Sequence, residues 1–265
     1  MLNDFDLISH EFPGDITIYP ISDVHLGAME LVENEWYNFI KMVENSDAKL
    51  ILAGDLLNNS IRSCKFANPF DEAIRPRDAK KRMVEYLDPV KDKILCVVSG
   101  NHEHRTFKDD DQDLTYDICA KLDIEHLYRE NIAYMKISCG SKSAGKSKRK
   151  PSNVYTFAVT HGAGGGIYTG AAVNRDERFG NVIDGLDCLV TGHVHKGFVT
   201  KPAKVVIDTR NNQVRMTHYT VLSCVSWLNY GGYAARSMLL PAAACNPQSI
   251  HLSGKEKNKK ITTTW

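Results

Sequence analysis

No stretch of this 265-residue chain approaches the ~18 consecutive apolar residues that a membrane helix requires. Its first residues, Met1 to Phe12, are acidic and lack the basic and apolar regions of an export signal. The chain therefore reads as an unexported, cytoplasmic protein with no membrane partner. A charge excess is missing too. Lys and Arg number 33 against 32 Asp and Glu, giving a net charge of +1. That balance singles out neither a nucleic-acid binder nor a membrane-surface protein, so any electrostatic steering must be local. Seven cysteines (64, 96, 119, 139, 188, 224 and 245) are an odd number with no CxxC pair, and most lie in apolar patterns. Buried free thiols in a reducing compartment fit this better than a disulfide framework. A Gly-x-Ser-x-Gly elbow is also absent, which removes the serine-esterase reading of His161-Gly162-Ala163-Gly164-Gly165-Gly166.

The length suffices for one large α/β domain over residues 1–265. Short apolar runs of strand length occur at Ile16 to Ser22, Leu50 to Ala53, Ile94 to Ser99, Val154 to Thr160 and Cys188 to Thr191. Helical patterns separate them at Leu31 to Glu44, Asp78 to Leu87 with Asp78 as N-cap, Leu114 to Leu122 and Ala171 to Val182. Such alternation builds a sheet whose ligands gather at the strand carboxyl ends. From Phe198 onward closely spaced strands predict a meander through 198–265, packed as part of a second sheet. Two loops stand apart. Ser60 to Arg77 is long, carries prolines and arginines, and has the character of a lid. Ser141 to Pro151 is rich in Lys and Arg among Gly and Ser, and is either a solvated hairpin tip or a phosphate-backbone contact.

Each of the five strands ends in a short motif: Asp23-Val24-His25, Gly54-Asp55, Gly100-Asn101-His102-Glu103, His161-Gly162 and Gly192-His193-Val194-His195. Taken singly, a His or Asp after a strand is ordinarily a core or capping residue; an ordered series is not. Asp, Asn and His supply hard oxygen and imidazole nitrogen, suited to divalent Mn, Fe, Zn or Ni, and no thiolate interrupts the set. Seven ligands, Asp23, His25, Asp55, Asn101, His161, His193 and His195, exceed what one four-coordinate zinc needs and suit a pair of metals. Residues i and i+2 of extended chain project to one side, so Asp23 and His25 can share a metal, and His193 and His195 repeat the spacing. Asp55 is the natural bridging carboxylate.

The ordered set, spanning Asp23 to His195, resembles the calcineurin-like metallophosphoesterase superfamily. That resemblance implies a four-layer αββα sandwich of two mixed sheets with helices outside and the metal site at strand carboxyl ends. It implies that Asp23, His25, Asp55 and His195 hold one ion, Asp55, Asn101, His161 and His193 the other, with Mn the first choice. It leaves His102 free to protonate the leaving group while a metal-bridging hydroxide attacks phosphorus. Where the protein Ser/Thr phosphatase branch has Asp and Arg after its bridging Asp, this chain has Asn58 and Asn59. The paired histidines resemble the nuclease, nucleotide-hydrolase and diesterase branches, and the Asn-rich stretch, long loop and Gly100-Asn101-His102-Glu103-His104-Arg105 resemble small phage or prophage phosphoesterases described as DNA-repair-exonuclease-like. Three readings follow: a phosphodiesterase or nuclease acting on DNA or RNA, a phosphomonoesterase or nucleotide hydrolase, and a non-catalytic scaffold, which the intact ligand set disfavours. Arg62, His104 and Arg105 are candidate substrate contacts, since guanidinium forks match phosphate oxygens.

Overall fold

Runs of Val, Ile and Leu too short for buried helices become strands in the computed structural model, which describes residues 4–64, 69–140, 153–166, 168–241, 246–255 and 259–265. One six-stranded sheet has the spatial order β1 (Ile8–Phe12), β6 (Ile132–Cys139), β7 (Asn153–Thr160), β8 (Cys188–Thr191), β12 (Thr220–Ser223) and β9 (Phe198–Thr200). The other has the order β14 (Ile261–Thr264), β13 (Ser249–Leu252), β2 (Ile16–Ile21), β3 (Lys49–Ala53), β4 (Ile94–Val98) and β5 (Tyr128–Arg129). Both are mixed: β2 to β5 run parallel while β13 and β14 pair antiparallel, and β6 and β7 form an antiparallel pair in the first sheet. β4 is buried throughout, as a parallel strand covered on both faces must be.

The two sheets share one apolar core. Ile18, Leu52 and Val97 from one meet Met135, Phe157 and Val190 from the other. Helices α1 (Glu33–Glu44), α2 (Pro76–Leu87) and α4 (Leu114–Lys121) turn Trp36, Met83 and Ile118 into that core. Helix α5 (Thr169–Val182) lays Ala172 on Leu189, Phe198 and Val221, a smaller cluster against the first sheet. The short α3 (His104–Asp110) has no buried residue and hence no periodic signal in the sequence. The α/β architecture of two mixed sheets with helices is thus the one the resemblance implies.

Three expectations need correcting. α2 begins at Pro76 with Arg75 as N-cap, so Asp78 lies in its first turn, where its charge favours the helix dipole. The chain after Phe198 is not one meander in one sheet. β9 and β12 join the first sheet, β13 and β14 the second, and β10 (Ala203–Asp208) and β11 (Gln213–His218) form a hairpin of their own. β1, unanticipated, adds a parallel edge strand beside β6. The basic Ser141 to Pro151 segment and Cys245 lie outside the described residues. The other six cysteines are free, five of them buried. No helix among the described residues is long and apolar enough to cross a membrane.

Trp227 ties the core to the strand ends. Its ring lies 5.1 Å from those of both Trp36 and Phe39, and its backbone N–H donates to Asp23 O at 3.2 Å. Trp227→Ala should lower the unfolding free energy by about 3–5 kcal/mol in urea titration; a loss under about 1 kcal/mol would show that this ring does not anchor the core.

Candidate metal centre

The carboxyl ends of β2, β3 and β4 in one sheet and of β7 and β8 in the other meet, bringing Asp23, His25, Asp55, Asn101, His161, His193 and His195 together. The chain leaves these strands through left-handed backbone. Asp23, His25, Asp55, His193 and His195 have φ of 54°, 52°, 52°, 72° and 55°. The Asp-x-His pairs are therefore not extended; tight left-handed turns aim both side chains inward. Non-glycine residues adopt this region at a cost, and five of them around one point mark a site whose geometry the surrounding fold imposes. The space is equally constrained. A Cβ on Gly100 would collide with the Asp55 backbone N and carboxylate, and one on Gly192 with the Ser22 hydroxyl.

Two donor groups result. In the first, His195 Nε2 lies 3.2 Å from Asp23 Oδ1, His25 Nε2 lies 3.7 Å from it, and the two ring nitrogens are 3.0 Å apart. In the second, His161 Nε2 is 3.2 Å from Asp55 Oδ2, and Asn101 Oδ1 is 3.0 Å from His161 Nε2 and 2.6 Å from His193 Nδ1. Asp55 Oδ2 also lies 3.9 Å from His25 Nε2, so this carboxylate stands between the groups as a bridging ligand must. Its Oδ1 accepts from His102 N–H at 2.9 Å, which fixes its plane.

Electrostatics favour cations here. Burial would raise the carboxyls of Asp23 and Asp55, but the surrounding imidazoles hold both well below the usual carboxylate range. Burial likewise opposes charge on His161, yet the Asp55 carboxylate pushes it up to about 10. These carboxylates draw whatever positive charge is near, and divalent ions satisfy the same demand without a proton. The donor set agrees: Asp23 Oδ1 and His25 Nδ1 are buried without a hydrogen-bond partner, and the facing nitrogens of His25 and His195 can share at most one proton. The residues present therefore fit two ions with N and O ligands.

His102 borders that group: with His25 and Asp55 it forms a third cluster whose potential ligand atoms lie within 4.8 Å of one another. Its Nδ1 donates to Asn58 O at 2.7 Å, and its Nε2 accepts from Arg105 Nη2 at 2.9 Å. Both ring nitrogens are thereby engaged, and Nε2 lies 3.7 Å from Asp55 Oδ2. Burial, against the pull of Asp55, pushes its pKa down to about 3, so the ring is neutral in this arrangement. Arg105 also donates to Asn58 O at 3.0 Å. His104 stacks on Phe107 of its own helix, ring centroids 5.0 Å apart, and Arg62 is exposed on the turn at 61–64. Of the three candidate substrate contacts, only Arg105 is joined to the cluster.

Two supports escaped sequence reading. Glu103, within a quoted motif but given no role, is buried and accepts from the backbone N–H groups of Asp55, Gly100 and Leu57 at 3.1, 3.1 and 2.7 Å. Burial and the Asp55 charge push its carboxyl up to about 7. On α5, buried Asp176 accepts from Thr191 Oγ1 and from Arg175 Nε, both at 2.8 Å, while Arg175 Nη1 donates to Ala163 O. This pair clamps the loop after His161 to the strand end before His193. The only signal in the sequence was an acid on the otherwise apolar inner face of a helix.

A family model described as calcineurin-like phosphoesterase matches residues 16–197 of this chain. No curated protein matches it. Among solved structures, it is similar to a conserved protein of Streptococcus pneumoniae TIGR4 described as a predicted phosphoesterase, at 11% identity over 94% of this chain and 98% of that one, with a TM-score of 0.35. The E. coli phosphoesterase Yfce is 15% identical over 94% and 98%, TM-score 0.38. The calcineurin-like phosphoesterase YfkN of Bacillus subtilis is 11% identical over 94% and 90%, TM-score 0.40.

The clamp can be tested through metal affinity. Asp176→Ala should weaken binding of one of two Mn²⁺ ions by roughly 10–100-fold in calorimetric titration, as outer supports of ligands do, while the other ion binds as before. Unchanged affinities would reduce Asp176 to a packing role.

Proposed function

Because this chain belongs to the calcineurin-like phosphoesterase family, whose model covers residues 16–197, it is a metal-dependent phosphoester hydrolase, and we propose that it acts on phosphodiesters. The observation that carries the two-metal reading is the Asp55 carboxylate standing between two donor groups. Asp23, His25, Asp55 and His195 would hold one ion, and Asp55, Asn101, His161 and His193 the other. Divalent ions bound there, Mn²⁺ foremost, would polarise the phosphoryl oxygens and lower the pKa of bound water.

His102 is the proton donor of this proposal. With Nδ1 fixed on the Asn58 carbonyl, Nε2 is the only ring atom able to face a leaving oxygen. An arriving phosphate is an anion; it favours the charged imidazole, offsetting burial, and draws the Arg105 guanidinium from Nε2 onto its own oxygens. Arg105 then holds the phosphate while His102 hands its Nε2 proton to the departing alkoxide.

The preference for diesters rests on Asn58 and Asn59. Asn58 Nδ2 donates to Ser60 Oγ and Glu72 Oε1, at 3.1 and 3.2 Å, and Asn59 Nδ2 to His102 O and Thr106 Oγ1, both at 2.8 Å. Both amides are consumed in holding loops, and neither brings a cation to the phosphate. A monoester dianion asks for more positive charge than a diester monoanion, so the diester suits this site better. DNA or RNA is the proposed natural class. Hydrolysis of a monoester or nucleotide is the second reading, favoured by the guanidinium of Arg105 beside His102.

With Mn²⁺, bis-p-nitrophenyl phosphate and single-stranded DNA should be cleaved with higher kcat/KM than p-nitrophenyl phosphate, and EDTA should abolish all three activities; a monoester preference would reverse the assignment. His102→Asn should retain metal yet slow substrates with poor leaving groups by roughly 10²–10⁴-fold, and activated nitrophenyl esters by less. Equal losses on both would remove the proton-donor role. In Asp55→Asn, metal analysis should find both ions depleted, whereas two retained ions would contradict bridging.

A further inference from the structure

The loop from Ser60 to Arg77, expected as a lid, is tied to the loops around the metal centre at both of its described ends. Ser63 Oγ donates to Asp109 Oδ2 on α3. Glu72 and Ala28 form an antiparallel bridge, and Ala73 N donates to Gly27 O at 2.7 Å. Glu72 therefore stands between the loop that follows His25 and the loop that follows Asp55, its carboxylate seated so closely on Gly27 that a Cβ there would collide with Oε2. Oε2 is buried and has no hydrogen-bond partner among the described residues. Oε1 accepts twice, from Ser60 N at 2.5 Å and from Asn58 Nδ2 at 3.2 Å. Burial raises the Glu72 carboxyl, opposed by these donors and by the nearby Arg105 charge.

The two donors bracket one carbonyl. Asn58 O, which accepts from His102 Nδ1 at 2.7 Å and from Arg105 Nη1 at 3.0 Å, belongs to the peptide between Asn58 and Asn59. Asn59 lies in the left-handed region, with φ of 46°, a conformation that costs a non-glycine residue energy and persists where the surroundings impose it. One carboxylate oxygen that grips the side chain before this peptide and the N–H after it imposes it, and such bonds are roughly twice as strong as neutral ones.

We infer that Glu72 is a positioning residue for His102: through Asn58 and Ser60 it fixes the carbonyl that orients the imidazole. The inference rests on the proton-donor reading of His102. In that reading an arriving phosphate draws the Arg105 guanidinium onto its own oxygens, so the second donor leaves Asn58 O as the substrate binds. The grip of Glu72 and the bond from Asn58 N to Leu26 O, 3.1 Å, then keep that carbonyl in place. Without Glu72, Asn59 can relax to ordinary backbone, the peptide turns, and Nε2 no longer faces the leaving oxygen. Arg105 and the candidate metal ligands reach the phosphate without Glu72, so the effect falls on turnover rather than on binding.

Rates with Mn²⁺ on single-stranded DNA and on bis-p-nitrophenyl phosphate test this. Glu72→Ala should lower kcat on DNA by roughly 10–100-fold with KM changed by less than about twofold, since a displacement near 1 Å at a reacting group costs that much. Both Mn²⁺ ions should bind as before, and bis-p-nitrophenyl phosphate, whose leaving group needs little protonation, should lose less. Glu72→Gln keeps Oε1 as acceptor of both donors and should stay within about fivefold of wild type. Asn58→Ala removes the gripped amide but keeps the carbonyl, so it should reproduce the loss even where Glu72→Ala fails to fold. In a His102→Asn background, Glu72→Ala should cost less than about twofold more, whereas a residue that merely stabilises the loop would cost the same in both backgrounds. Equal losses in the two backgrounds, or wild-type kcat in Glu72→Ala and Asn58→Ala while His102→Asn is slow, would overturn this inference alone. Full activity of His102→Asn on DNA would overturn the proton-donor reading and this inference with it.

Discussion

The molecule is organised around a buried negative charge that needs positive neighbours. Asp23 and Asp55 sit at 0% and 2% exposure at the ends of adjacent parallel strands, where desolvation would otherwise protonate them. Imidazoles of His195 and His25 beside Asp23, and of His102, His161 and His25 beside Asp55, hold both well below the usual carboxylate range. Each of these histidines comes from a strand end, two of them from the other sheet, so the electrostatic demand of one sheet is met by the other. Filling the centre with divalent ions resolves what remains: unpartnered buried atoms, and ring nitrogens that face each other.

Holding ligands in that arrangement takes a second set of interactions. Five of them adopt left-handed backbone, and the structure stabilises that conformation by binding their peptide groups. Glu103 gathers three N–H groups from two loops, Asp23 Oδ2 accepts from His193 N–H at 2.9 Å, and Gly192 N donates to His161 O at 3.0 Å. Ligand loops are thus bonded to one another and not only to their own strands. Asp176 and Arg175 extend the same arrangement outward to α5. A shift of any strand end would disturb several candidate ligands together, so their positions are fixed as a set.

The same arrangement distinguishes chemistry from scaffolding among similar residues. His102 and His161 are both imidazoles beside Asp55, yet His161 aims Nε2 at the carboxylate while both nitrogens of His102 are engaged elsewhere. Asn101 places its oxygen between two histidines, whereas Asn58 and Asn59 spend their amides on loops. Residue type alone did not separate these roles; the direction of each side chain does.

The five motifs by themselves pointed to the candidate ligands, the strand ends that bear them and the α/β class, because each of those signals is local: a short apolar run, then a donor within a few residues. Helices with apolar stripes were legible for the same reason, while α3, which buries nothing, was not. What tertiary structure alone decided depends on partners distant in the chain. The left-handed turns at Asp23 and His25, the work of Glu103 and Asp176, and the neutral state of His102 arise from contacts that no spacing records. The hairpin of β10 and β11 makes the contrast plain. Its alternation of Val, Ile and Met announced strands, but which face meets the body was determined by Lys204 reaching the carbonyls at the end of α5, leaving the apolar face to solvent.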